Sequence, residues 1–130
     1  MGNFNKYGLC TIRSIELNLK FHNAVESWEK AATAIFESES SRSKSCPKNT
    51  FLGLCNEGLI EGISKGKYTG SKLNKAYGLK AVEILRKNHP TIFSAKELWE
   101  KLDLGDKRHN SQMHVVLALW QNDLIVGSKK

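Results

Sequence analysis

The chain has 130 residues, 40% of them apolar, which suits one compact domain around a single core. Its longest dense apolar run, Met113 to Trp120, carries His114 and is far too short to cross a bilayer, so no membrane role is expected. The formal charge of +7 points to a partner of opposite sign.

That charge is unevenly spread. Residues 1–63 hold seven basic and seven acidic side chains, whereas residues 64–89 hold seven basic side chains against Glu83 alone. A local excess of this kind favours phosphate-bearing partners at modest salt, and it is also what an ordinary solvated face looks like. The three cysteines, Cys10, Cys46 and Cys55, form no CxxC pair and cannot all be disulfide-bonded within one chain. They suggest a reducing, cytoplasmic compartment. Zinc needs four ligands in paired spacings, which are lacking, so no metal site and no cofactor are expected. The start, Met1-Gly2-Asn3-Phe4-Asn5-Lys6, has no charged segment followed by an apolar block, as a secretion signal would.

In chain order, a first helix is predicted over about 4–20 and a second over about 23–37, with Trp28 as a core anchor. Glu37 to Ser45 is Ser-rich and reads as a loop. A third helix begins near Cys46-Pro47, where a proline suits the first turn, and ends before Gly58. Leu59-Ile60 looks like a brief extended piece, and Ser64 to Gly70 is a turn-rich basic linker. The next helix, about 71–88, has Leu73, Tyr77, Ala81 and Ile84 on one face, Ser71 as its N-cap and His89-Pro90 as its stop. Ser94 and Glu97 form a capping-box pattern ahead of a helix over 94–103 that carries Trp99 as a core anchor equivalent to Trp28. The last helix starts near Ser111 and ends before Asp123, and Leu124-Ile125 follows as a second short extended pair.

These elements come twice. Tyr7-Gly8-Leu9 recurs as Tyr77-Gly78-Leu79, and Ala24 to Lys30 is matched by Ala95 to Lys101 around the two tryptophans. Leu52-Gly53-Leu54, Leu59-Ile60 and Gly62 are matched by Leu117-Ala118-Leu119, Leu124-Ile125 and Gly127. Three matches in series indicate a duplicated unit. The expected fold is all-α: two pseudo-repeated three-helix units in one compact domain, with at most short β segments. The first repeat is residues 1–63, the basic linker 64–70 and the second repeat 71–130.

The second half, with Pro90-Thr91-Ile92-Phe93, the helices from Ala95 and Ser111, and Asp123-Leu124-Ile125-Val126, resembles a winged helix-turn-helix. That likeness implies a third helix lying in the DNA major groove. The whole chain also resembles an uncharacterised family of small bacterial proteins. The likeness rests on Cys46-Pro47-Lys48, Phe51-Leu52-Gly53-Leu54-Cys55, Tyr68-Thr69, Ser71-Lys72, His109-Asn110-Ser111-Gln112-Met113 and Val115 to Trp120, and it carries no activity with it.

Each third helix keeps one narrow polar stripe: Cys46, Asn49, Gly53, Asn56 and Glu57 in the first, Ser111, His114, Ala118, Gln121 and Asn122 in the second. Three readings fit such stripes: a face packed through the small residues Gly53 and Ala118, a groove-reading helix, or a pocket between the halves. The nucleic-acid reading, preferred here and with duplex DNA as its ligand, assigns Lys48, Lys65, Lys67, Tyr68, Lys72, Lys75, Arg86, Lys107 and Arg108 to phosphates or stacking. It assigns Ser111, Gln112 and His114 to base edges. An acidic protein partner is the alternative. A candidate pocket of Lys44, Cys46, Asn49, His109 and Asn110 carries a third reading: a cysteine-dependent enzyme with Cys46 at a helix start as nucleophile, and His and Asn as base and orienter.

Overall fold

The computed structural model describes residues 5–127. Helix α1 (Lys6–Phe21) opens on Asn5, whose side-chain oxygen accepts from the Tyr7 amide at 2.9 Å. Helix α2 (Ala24–Ile35) opens on Asn23, which accepts from Glu26 N at 2.9 Å. These side-chain caps satisfy amides that the helix itself leaves without partners. Within the stretch read as a loop, a single turn of helix, α3 (Glu39–Arg42), forms because Ser38 Oγ accepts from Ser41 N. Helix α4 (Ser45–Asn56) carries Pro47 in its first turn, as expected.

The second half begins with α5 (Lys72–Lys87), which stops before His89-Pro90. Ser71 is its N-cap residue but gives no side-chain cap; its hydroxyl accepts from Asn74 instead. Helix α6 (Ala95–Lys101) starts on the full capping box, with Ser94 Oγ accepting from Glu97 N at 3.1 Å and Glu97 Oε1 accepting from Ser94 N at 2.9 Å. Helix α7 (Gln112–Gln121) closes the series. Among the described residues there is no strand. The Pro90–Phe93 segment forms no ladder, and Ile92 there is 80% exposed.

Helices α4 and α7 form the centre. Phe51, Leu52, Leu54 and Cys55 of α4 are buried, as is every residue of α7 from Val115 to Trp120. The first helix of each half lies on the third helix of the other: α1 packs on α7, and α5 packs on α4. Small residues permit the second contact. A methyl group placed on Gly53 would lie 2.7 Å from the Lys75 Cα, and one on Gly78 would lie 3.2 Å from Thr50 Cγ2. Such approach brings backbone nearly onto backbone, which any larger side chain would prevent.

The expected short extended pairs meet each other. Ile60 and Ile125 form one antiparallel bridge, with Glu61 N donating to Leu124 O at 2.9 Å and Val126 N donating to Leu59 O at 2.8 Å. The turns before them match too: Leu59 N donates to Leu54 O, and Leu124 N donates to Leu119 O. Gly58 and Asp123 both take left-handed backbone there, at φ 69 and 58.

The two tryptophans differ in setting. Trp28 is 1% exposed and stacks on Phe51 at 5.4 Å, whereas Trp99 is partly exposed, meets Tyr77 edge-on and donates its indole N–H to Lys107 O. Trp28 is therefore a core anchor, and Trp99 braces the loop between α6 and α7.

Gly53→Ala should destabilise the fold by about 1–3 kcal/mol, because the added methyl meets main chain that cannot swing aside. Gly70→Ala, which enters open space, should stay within about 0.5 kcal/mol. Urea melts of the two variants check the contrast.

Candidate functional site

The polar stripe of α4 turns toward the linker. Asn56 Oδ1 accepts from Tyr68 N at 2.6 Å and from Thr69 N at 3.4 Å, while its Nδ2 donates to Thr69 O at 2.9 Å. The Asn56 carbonyl accepts from Gly66 N, and two turns earlier Asn49 Oδ1 accepts from Thr69 Oγ1 at 2.8 Å. Tyr68 closes the loop on itself, its hydroxyl donating to Ser64 O at 2.6 Å. Its ring is partly buried against the core and lies under Gly66, so it anchors the linker rather than offering a free stacking face.

A linker held this way displays its lysines on a fixed surface. Lys65, Lys67, Lys72 and Lys75 line one open groove of about 690 Å³, together with Asn56 and Glu57. The cations come from two places: the linker, and the first turn of α5, where Lys75 is pinned beside Gly53. One of them is already paired, Lys75 with Glu57. The hydrogen bond and the positive charge of Lys75 hold the Glu57 carboxyl below its usual range, and Lys65 adds to the effect.

The remaining residues expected at a nucleic-acid interface lie elsewhere. Gln112 is 2% exposed and fully engaged, donating to Asn74 Oδ1 at 3.2 Å and accepting from Asn110 N at 2.6 Å. Ser111 Oγ accepts from Asn5, and α1 lies along α7. Gln112 is thus core, and Ser111 and His114 are only half-buried beside Asn5 and His109, so the three do not present one open base-reading face. Lys48 pairs with Glu29 at 3.1 Å, and Arg86 donates to Val126 O at 2.6 Å. Lys107 and Arg108 are exposed in the α6–α7 loop and do not line the groove.

The candidate pocket is not assembled as a nucleophile and base. His109 Nε2 accepts from Met113 N at 3.0 Å, and its ring sits between Trp99 at 5.1 Å and His114 at 5.3 Å. Burial, with His114 and Lys44 adding positive charge, lowers its pKa to about 4. The nitrogen a base would use is already occupied. Lys44 rests over the Tyr7 ring at 5.8 Å and Asn49 serves the linker. No hydrogen bond joins Cys46 to His109 or Asn110 among the described residues. Burial pushes the Cys10 thiol up to about 12 and Cys55 higher than its usual value, which keeps both as inert thiols. Sequence reading missed the cap that His109 gives to α7. Ser111, in left-handed backbone at φ 70, makes no side-chain cap, and the acceptor comes instead from two residues earlier.

A family model described as a family of unknown function (DUF6979) matches residues 4–126. The chain belongs to the DUF6979 family. No curated protein and no solved structure matches it. Among the described residues of this DUF6979 member, no helix is long and apolar enough to cross a membrane.

Asn56→Ala should cost about 1–3 kcal/mol, because it leaves linker backbone groups without partners. Hydrogen exchange at the Tyr68 and Thr69 amides should accelerate more than exchange in α7, which nuclear magnetic resonance would report.

The depressed His109 pKa makes stability depend on pH. The unfolded state takes up a proton near pH 6.5 and the folded state only near pH 4, so stability is complete above the first value and falls between them. Thermal melts at pH 7.5 and pH 5 should show that fall, and His109→Gln, which keeps an acceptor, should flatten it.

Proposed function

We propose that this DUF6979 protein binds the phosphate backbone of nucleic acid, with duplex DNA the first ligand to test, through the groove between the end of α4, the linker and the start of α5. The observation carrying this reading is the groove itself: four lysines against one carboxylate, two on a linker that Asn56 fixes in place and two at the start of α5. Fixed cations lose little conformational entropy on meeting phosphates, and each contact gains by releasing condensed counterions. Because α7 is core, the reading has no base-reading helix, and sequence preference should be weak.

The same reading takes the chain as two copies of one unit. The paired closing turns support it: the bonds Glu61 N to Leu124 O and Val126 N to Leu59 O interchange when each residue is replaced by its counterpart in the other half. On that view the linker is where the copies were joined, and the basic groove belongs to the junction.

Fluorescence anisotropy with a labelled short duplex, across a salt series, tests the binding. Affinity should fall linearly with salt on a log–log plot, with a slope of about −0.9 for each phosphate neutralised. Reversal of Lys65, Lys67 and Lys72 to Glu should abolish binding to all sequences alike. An absence of binding at low salt, or a reversed variant that binds as well as the parent, would refute the proposal. Retention of an acidic protein in its place would favour the adaptor reading.

A further inference from the structure

Within the groove one residue runs against the charge around it. Glu57 is the C-cap of α4, at the end where the helix carbonyls already supply negative partial charge. A carboxylate there is electrostatically misplaced with respect to its own helix. It is exposed, and it meets the Lys75 ammonium and lies within the field of Lys65. Lys75 has little freedom to leave, since its Cα and Cβ are packed onto Gly53. The groove therefore holds a carboxylate on a cation that cannot move its base away.

Resting on the nucleic-acid reading of this groove, we infer that Glu57 is a resident anion: it occupies Lys75 in the free protein and is displaced only by a ligand carrying several phosphates. A lone phosphate would have to replace the carboxylate on Lys75 while lying beside its negative charge, and it gains little. A polymer reaches Lys65, Lys67 and Lys72 first, which brings a phosphate next to Lys75 at high local concentration. Glu57 thus sets the charge density a ligand needs, making the groove selective for polyanions over single phosphates.

Glu57→Gln keeps the size and hydrogen-bonding atoms of the side chain and removes the charge. The expected result is duplex affinity roughly three- to tenfold tighter at low salt, with the log–log salt slope little changed, because Lys75 meets a phosphate in both complexes and the variant removes only the need to displace a carboxylate. The double variant Glu57→Gln/Lys75→Met should bind more weakly than Glu57→Gln, with a slope shallower by about 0.9, because it removes the phosphate contact that displacement of Glu57 makes possible. Circular dichroism confirms that each variant is folded. If Glu57→Gln binds the duplex no more tightly, while charge reversal of Lys65, Lys67 and Lys72 still abolishes binding, the resident-anion inference is wrong and the groove reading stands. If neither the parent nor Glu57→Gln binds, both are wrong. If the double variant binds with the affinity and slope of Glu57→Gln, Lys75 meets no phosphate and the inference is again overturned. Inorganic phosphate competing against the labelled duplex gives an independent readout: it should compete more strongly for Glu57→Gln than for the parent, and equal competition would contradict the selectivity.

Discussion

The approach of α5 onto α4 at Gly53 governs the geometry of the rest. With no side chain at that position, the Lys75 backbone lies where a methyl group would otherwise be. That contact fixes the start of α5 against the last turns of α4, and so fixes both ends of the linker that runs between them. The linker must then turn tightly, and Asn56 supplies what a tight turn lacks, meeting two of its amides and one of its carbonyls with a single side chain. The lysines follow from this. They project from a segment with few conformations left, so their arrangement belongs to the fold rather than to a flexible loop.

The second consequence concerns the third helices. Each is wrapped by the first helix of the other half, so neither half encloses a core alone. Burying the apolar side chains of α7 on every side contributes much of the stability, at about 1.5–3 kcal/mol for each large residue removed from water. Within α7 it leaves only His114 and Gln121 half-buried. In a winged-helix protein the third helix must keep one polar face outward, and here Ser111 accepts from Asn5 and Gln112 is buried, donating to Asn74. The binding we propose falls instead to the surface between the halves.

Much of this was legible in the sequence because it depends on local signals. Apolar spacing, Pro47 in a first turn, the Ser94–Glu97 pair and the His89-Pro90 stop act within a turn or two, and each expected helix formed within a few residues of its place. The stripes were legible as stripes, but their meaning was not. A run of small and polar residues at helical spacing says that a face is not greasy; it does not say whether water, a ligand or another helix lies on it. Gly53 carried the only hint that a helix did. Asn56 was hidden for a related reason, since its partners lie 12 and 13 residues away in a segment without periodicity. The Ser-rich stretch concealed α3 because serine favours both loops and helix starts. The two tryptophans looked alike by position, yet the loop beside Trp99 gives its indole a partner, whereas Trp28 stacks on Phe51 in the core.

Electrostatically the molecule separates its tasks. Lys48, Arg86 and Lys80 are tied to Glu29, to the Val126 carbonyl and to the Leu102 carbonyl, where they hold elements together. Lys65, Lys67 and Lys72 have no such task and share one surface. The central claim is that this surface, and not α7, meets the ligand. Amide chemical-shift mapping with a short DNA duplex tests it most directly. The expected result is a set of perturbed resonances confined to Asn56 through Lys75, with those of Val115 through Leu119 unmoved. Perturbations centred instead on the α6–α7 loop, or none at all, would contradict it.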